Sequence, residues 1–331
     1  MPSDWKSAQV SAIFKKGDKS RAGNYRPVSL TCISCKVMET IVREYTINHM
    51  KANNLFSNKQ YGFINGRSTG LQLLKILDIW TEILDEGGDL DVIYLDFMKA
   101  FDSVPHNRLL YKLERYGIQG NIVGWIKDFL IGRKQRVGVK GCYSEWTQVL
   151  SGIPQGSVLG PLLFVIYIND LSENISSELF MFADDTKVFR KMGTDEDHSK
   201  LQKDITTLEK WSKLWLLKFH PDKCKVMNVT RNKDTTNRKY TMSDNTSEEK
   251  ITLSHTILEK DLGLNIDPHL KFEKHLNEKV NKANKIMGLI RRSFTHLNIK
   301  TFCQLYKTIV RNPLEYAIAT WCPEKLKILI N

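Results

Sequence analysis

The stretch Leu179–Phe189, LFMFADDTKVF, constrains this chain more than any other. Five apolar residues run up to Ala183, two adjacent carboxylates follow, and Thr186-Lys187-Val188-Phe189 then alternates polar and apolar. Runs rich in Phe, Val and Leu on either side of a two-residue polar tip predict a β-hairpin with Asp184-Asp185 at the tip. Asp is a favoured turn residue, so one reading of the pair is an exposed turn. The other reading is chemical. Adjacent carboxylates at the end of an apolar hairpin repel each other, and burial raises their pKa values unless a cation sits there. Mg²⁺ takes such hard oxygen ligands, one or two carboxylates at a time, together with substrate phosphates. The tip alone does not choose between the two readings.

Charge narrows the partners. The 331 residues carry a formal net charge of +12, which points to a polyanion, nucleic acid before membrane. The longest apolar run, Leu162–Ile168, is far too short to span a bilayer, and MPSDWKSAQV is not a signal peptide. Six cysteines without a regular framework fit free thiols in a reducing compartment, nuclear or cytoplasmic. Cys32 and Cys35 form a CxxC with no further ligands nearby, so two buried thiols are expected rather than a zinc site. A chain of this length is expected to form about two domains.

Along the chain, Trp5–Phe14 is apolar-rich and Lys15-Lys16-Gly17-Asp18 turns it. Asn24-Tyr25-Arg26-Pro27 then leads into Val28-Ser29-Leu30. Lys16 and Arg26 flank this loop and either present charge to phosphate or are simply solvated. Helical spacing covers Ser34–Met50 and Leu71–Leu84, with the Gly-rich loop QYGFINGRSTG (Gln60–Gly70) between them. Val92–Phe97 reads as a buried strand bearing Asp96 near its end, a place where α/β and α+β sheets put chemistry. Asp96 and Asp102 read equally as helix N-caps.

Helices are expected from Pro105 to Tyr116 and over Ile122–Leu130, and strands over Arg136–Val139 and Glu145–Leu150. SGIPQGSVLGP (Ser151–Pro161) has glycines that allow backbone to approach a ligand, or serves as punctuation before the helix Leu162–Leu171. His198–Leu217 reads as a packed helix. Arg231–Glu249 is polar and reads as a solvent-exposed, disordered insertion. From Lys271 to Arg311, ten Lys and Arg face only Glu273 and Glu278, while apolar residues keep helical spacing. That composition fits a small basic helical domain making phosphate contacts.

If the Asp96 strand and the Asp184-Asp185 hairpin are neighbours in one sheet, three carboxylates converge. Such a set suits two metal ions about 3.5–4 Å apart, which activate a hydroxyl and steady a leaving phosphate. Together with Gln155, Lys16, Arg26 and a basic helical region, this describes a template-directed nucleotidyltransferase.

The chain resembles the reverse transcriptase domain of non-LTR (LINE-type) retrotransposons, jockey-like elements most closely. Eight blocks in family order carry the resemblance over nearly the whole chain: NYRPVSL, QYGFINGRST, YLDFMKAFDSVPH, SGIPQGSVLGPLLFVIYINDL, FADD, the Trp211–Met227 segment ending in Lys223, KDLG and LEYA…W. The resemblance implies an α+β right-hand polymerase with fingers, a palm built on an antiparallel sheet, and a helical thumb. Fingers and palm would occupy residues 1–266 and a basic thumb-like region residues 267–331. It implies an RNA-directed DNA polymerase that extends a primer 3′-OH with dNTPs on an RNA template, using two Mg²⁺ ions, or Mn²⁺ in their place.

The resemblance also assigns roles. Asp96, Asp184 and Asp185 match the metal-binding aspartates. Phe101 matches the aromatic under the sugar that selects dNTPs, and Gln155 and Gly156 the loop touching the incoming nucleotide. Lys16 and Arg26 match triphosphate-holding residues of the fingers. Lys223 matches a lysine proposed as the general acid for pyrophosphate, although HPDK departs from the usual Asn-x-x-Lys pattern. Asn312 stands where relatives usually have arginine. The chain is expected to begin inside the fingers and to lack an N-terminal extension, endonuclease and RNase H. It would then be a polyprotein fragment, with an inactive nucleic-acid-binding remnant as the alternative.

Overall fold

The computed structural model describes residues 1–233, 235–244 and 249–321. Two five-stranded sheets organise the chain. In the first, Ser7–Phe14 lies between Tyr25–Leu30, which it pairs antiparallel, and Lys134–Val139, which it pairs in parallel. Short strands at Cys142–Tyr143 and Thr147–Gln148 extend this sheet from Lys134–Val139.

The second sheet carries the chemistry. Asp89–Leu95 is central, with Asp185–Met192 on one side and Lys225–Val229 on the other, both antiparallel. Glu178–Phe182 continues past Asp185–Met192, and Ser254–His255 past Lys225–Val229. Side chains alternate between the faces of a strand, so each face of this sheet meets a different core. Ile93, Leu95 and Val188 enter a large core with the helices His106–Arg115, Gly160–Tyr167 and Asp195–Trp215. Leu90, Val92, Phe180, Phe189 and Met227 enter a second core against the helix Thr69–Asp85. Gly160–Tyr167 is sealed nearly all round, as its unbroken apolar sequence requires.

Most expected elements are present with shifted ends. Two expectations change. The Asp-Asp hairpin has its two-residue loop at Ala183-Asp184, because Phe182 pairs with Asp185 and Ala183 takes the left-handed region (φ +53°). Asp185 is thus the first strand residue and not part of the tip. The polar segment Arg231–Glu249 is also only partly the solvated insertion expected: Arg231–Lys233, Thr236, Asn237 and Lys239 are exposed, but the segment also reaches into the fold. Tyr240 is fully buried and donates to Asp91 (2.7 Å), Arg238 pairs with Asp89 (2.9 Å), and Thr241–Ser243 pairs with Lys250–Thr252. Residues 234 and 245–248 of that expectation lie outside the described residues.

The basic C-terminal stretch is helical, led by Glu273–Ser293. Its first turns share the second core through Phe272 and Leu276, while Ala283, Ile290 and Val310 form a small core of their own. His275 is fully buried, its Nδ1 accepts from the Asn265 N–H (3.2 Å), and its ring meets Trp321 edge-on. Burial, with Lys279 and Lys260 nearby, lowers its pKa to about 4. The folded value lies below the unfolded one, so this residue's stability contribution is present above about pH 6.5 and is lost as pH falls towards 4. Replacing His275 with Gln is expected to flatten the acid limb of stability in that window, by at most about 1.4 kcal/mol per pH unit. Urea unfolding midpoints at pH 7 and 4.5 measure it.

Candidate active site

The register of the second sheet brings the aspartates together. Leu95 faces Thr186, so the next cross-strand pair outward is Asp96 with Asp185. Neighbours of this kind have Cβ atoms about 4.5–5.5 Å apart. Both lie on the face that carries the pairs Val92–Phe189 and Tyr94–Lys187. That face therefore runs from apolar core, through a Tyr-Lys row, to two carboxylates at its rim. Asp184 joins them from the hairpin loop. Among the described residues no group of three or more His, Cys, Asp or Glu side chains is placed to hold a metal ion as it stands. Ligands that share an ion with substrate phosphates need not surround it on their own.

Electrostatics mark the same spot. Burial raises the Asp184 pKa, Asp96 adds to the shift, and Arg26 and Lys15 oppose it. Asp185 reaches solvent, yet the protein packed around it removes much of its hydration. This burial first, then Asp184, Asp261 and Asp96, pushes its carboxyl up to about 6. Oxygen donors held together against their own repulsion fit a divalent cation. Behind Asp185, Lys187 forms an ion pair with Asp261, both nearly inaccessible to solvent. Asp261 comes from Glu259–Asp261, which pairs with Leu264–Ile266 to form the KDLG hairpin. Lys223, in a short helical turn, places its Nζ 3.7 Å from Asp96 Oδ1.

The segment after Asp96 and the SGIPQG loop are zipped together. Ile153 N–H donates to Phe101 O (2.7 Å), Gly152 N–H to Val104 O (2.8 Å), and Gln155 Nε2 to Asp102 Oδ1 (2.9 Å). Phe101 stacks on Phe164 at 4.4 Å between centroids. The loop also grips the first sheet, since Ser29 N–H donates to Gln155 O (2.7 Å). Gly156, at φ +105°, sits where a Cβ would lie 2.8 Å from Ser29 O, so no other residue fits without movement. Glu39 anchors the loop from behind, its Oε2 accepting from Val158 N–H (2.6 Å) and Leu159 N–H (2.9 Å).

Of the residues singled out in the sequence, Asp96, Asp184, Asp185, Arg26 and Lys223 gather at one place, and Phe101, Gln155 and Gly156 form the adjoining loop assembly. In the Lys15-Lys16 pair, the charge acting on Asp184 and Asp102 is that of Lys15, which sequence reasoning passed over in favour of Lys16. It also missed Asp102, read as an N-cap, and Glu39. Glu39 had a signal, because a carboxylate falls in the buried stripe Cys35, Glu39, Val42, Thr46, Met50.

Residues 13–257 match the family described as "Reverse transcriptase (RNA-dependent DNA polymerase)". The chain belongs to the reverse transcriptase family. Its relatives include the RNA-directed DNA polymerase from mobile element jockey of Drosophila melanogaster, 29% identical over 97% of this chain and 36% of the relative. The probable RNA-directed DNA polymerase from transposon X-element of the same fly is 27% identical over 97% and 36%. The corresponding protein from transposon BS is 28% identical over 88% and 32%. The likeness to jockey-type non-LTR elements read from the sequence therefore holds. The chain spans about a third of the length of these relatives.

Among solved structures, telomerase from Candida tropicalis in complex with a TWJ fragment of telomeric RNA superposes with a TM-score of 0.54 at 11% identity, over 97% of this chain and 53% of that one. Telomerase from Candida albicans with the same kind of fragment gives 0.51 at 11%, over 97% and 56%. The fold of this reverse transcriptase is thus the α+β right-hand polymerase fold. The family is generally metal-dependent and binds RNA templates. Among the described residues of this reverse transcriptase, no helix is long and apolar enough to cross a membrane.

Proposed function

We propose that this chain is the polymerase portion of a non-LTR retrotransposon protein, an RNA-directed DNA polymerase that extends a DNA primer 3′-OH with dNTPs on an RNA template. The observation that carries the reading is the register that sets Asp96 beside Asp185 on one face, with Asp184 in the adjoining loop. In this reading the three carboxylates hold two Mg²⁺ ions, or Mn²⁺, which would lower the pKa of the primer hydroxyl and neutralise the transferring phosphate. Arg26, with Lys15 and Lys16, holds the triphosphate. Phe101, backed by Phe164, forms the floor under the sugar and disfavours a 2′-OH. Gln155 and Gly156 line the nucleotide, with the Gln155 amide oriented by Asp102. Lys223, beside Asp96, protonates departing pyrophosphate.

Residues 1–266 act as fingers and palm, and 267–331 as a thumb whose lysines and arginines grip the duplex backbone. The free thiols of the five described cysteines suit a reducing compartment, nucleus or cytoplasm. The test is primer extension with oligo(dT) on poly(rA), dTTP and Mg²⁺. Metal-dependent incorporation is expected. Salt-sensitive nucleic-acid binding without incorporation would identify a non-catalytic remnant instead.

A further inference from the structure

The loop Gln60–Gly70 is a strong feature of the sequence that the polymerase reading leaves without a task. In the fold it lies behind the hairpin that bears Asp184 and Asp185. Residues 59–61 add to the outer edge of the second sheet. Met181 N–H donates to Lys59 O (2.9 Å), and Tyr61 N–H donates to Met181 O (2.8 Å). Gln60 between them is fully buried. Its Oε1 accepts two backbone protons, from Gly62 N–H (2.7 Å) and from Ala183 N–H (2.9 Å).

Ala183 is the residue held in the left-handed region, one step before Asp184, and is itself buried. Its N–H would have no water to turn to if Gln60 were removed, and an unpaired buried donor is costly. Gly62 allows the approach, because a Cβ there would lie 2.4 Å from Ala183 N and 3.0 Å from Phe182 C. Arg67 braces the segment from outside, donating from Nη1 to Ser57 O (2.6 Å) and to Gln60 O. Only a neutral acceptor suits this position. A glutamate would add a buried negative charge behind Asp184 and Asp185, which already repel each other.

We infer that Gln60 and Gly62 form a clamp on the Ala183 amide that fixes the loop conformation presenting Asp184 and Asp185. Gln60 is thus a positioning residue, touching neither ion nor nucleotide. The inference rests on the metal-binding reading of those aspartates for its consequence, but not for the clamp itself.

Hydrogen exchange by mass spectrometry on the full chain tests the clamp, and Mn²⁺ titration followed by electron paramagnetic resonance tests its consequence. In the wild type, the Ala183 amide is expected to be protected. Gln60→Met keeps side-chain length and removes the acceptor. Exchange in the 180–186 peptide should then speed up roughly tenfold or more, with peptides from Asp89–Leu95 and Lys225–Val229 unchanged. Mn²⁺ affinity should fall roughly tenfold, the usual cost of disturbing what supports a ligand. Gly62→Ala should do the same by steric pressure with the acceptor still present, and stands in if Gln60→Met does not fold.

Free exchange of Ala183 in the wild type overturns the clamp. Faster exchange in the variants with unchanged Mn²⁺ affinity overturns the positioning role. A protected Ala183 in a wild type that binds no Mn²⁺ would instead leave the clamp standing and refute the metal reading.

Discussion

Asp185→Asn is expected to remove primer extension, by roughly 10²–10³-fold or more, the scale on which loss of one charge-stabilising group at a reacting centre is felt. The same substitution is expected to make the metal-free protein more stable at neutral pH. Burial, Asp184, Asp261 and Asp96 raise the Asp185 pKa to about 6, against an ordinary carboxylate value of 3.8. Above pH 6 the folded chain therefore carries an unfavourable charge that asparagine lacks. Below about 4 both folded and unfolded chains hold the proton, and the gain vanishes. A difference in melting temperature measured in chelator should thus grow as pH rises from 4 through 6 and then level off. Lost activity together with gained stability separates a functional carboxylate from a structural one, because functional sites keep groups that cost the fold.

Asp261→Asn is expected to have the largest effect on stability, a loss of about 3–5 kcal/mol. Lys187 and Asp261 are both within a few per cent of complete burial, so removing the anion leaves an uncompensated buried ammonium. Replacing both together, Lys187→Met with Asp261→Leu, should recover most of the loss, since no charge then remains to be desolvated. Urea unfolding of the two variants measures the difference. The pair lies in the row just behind Asp185, opposite Tyr94 on the neighbouring strand. Asp261→Asn should therefore also lower the Asp185 pKa, because Asp261 is one of the charges that raise it and Lys187, left unpaired, opposes it.

The carboxylate set was legible in the sequence because each aspartate follows an apolar run, and apolar runs fix strands. Their meeting depended on pairing register, which alternation and strand ends indicate only loosely. The position of the tip was not legible. Asp favours turns, so both aspartates were assigned to it, whereas the left-handed residue is Ala183, held there by Gln60 and Gly62 from more than a hundred residues away. No local rule predicts an alanine in that conformation. Tyr240 was overlooked for a similar reason. Its surroundings are polar, and the partner that draws it inward, Asp91, lies on a distant strand. Composition also cannot say which of the adjacent Lys15 and Lys16 acts on the carboxylates; in the fold the charge felt at Asp184 is that of Lys15. Glu39 was within reach, since helical period alone puts it on a buried face.

The claim on which the rest depends is that Asp96, Asp184 and Asp185 act as one divalent-metal site completed by nucleotide phosphates. Counting Mn²⁺ bound per chain, by electron paramagnetic resonance with an RNA template, a 3′-deoxy-terminated primer and the matching dNTP, tests it most directly. Two ions per wild-type chain are expected, and neither when all three aspartates are asparagine in a protein that still folds. Equal Mn²⁺ binding by wild type and triple variant, or none by either, would contradict it.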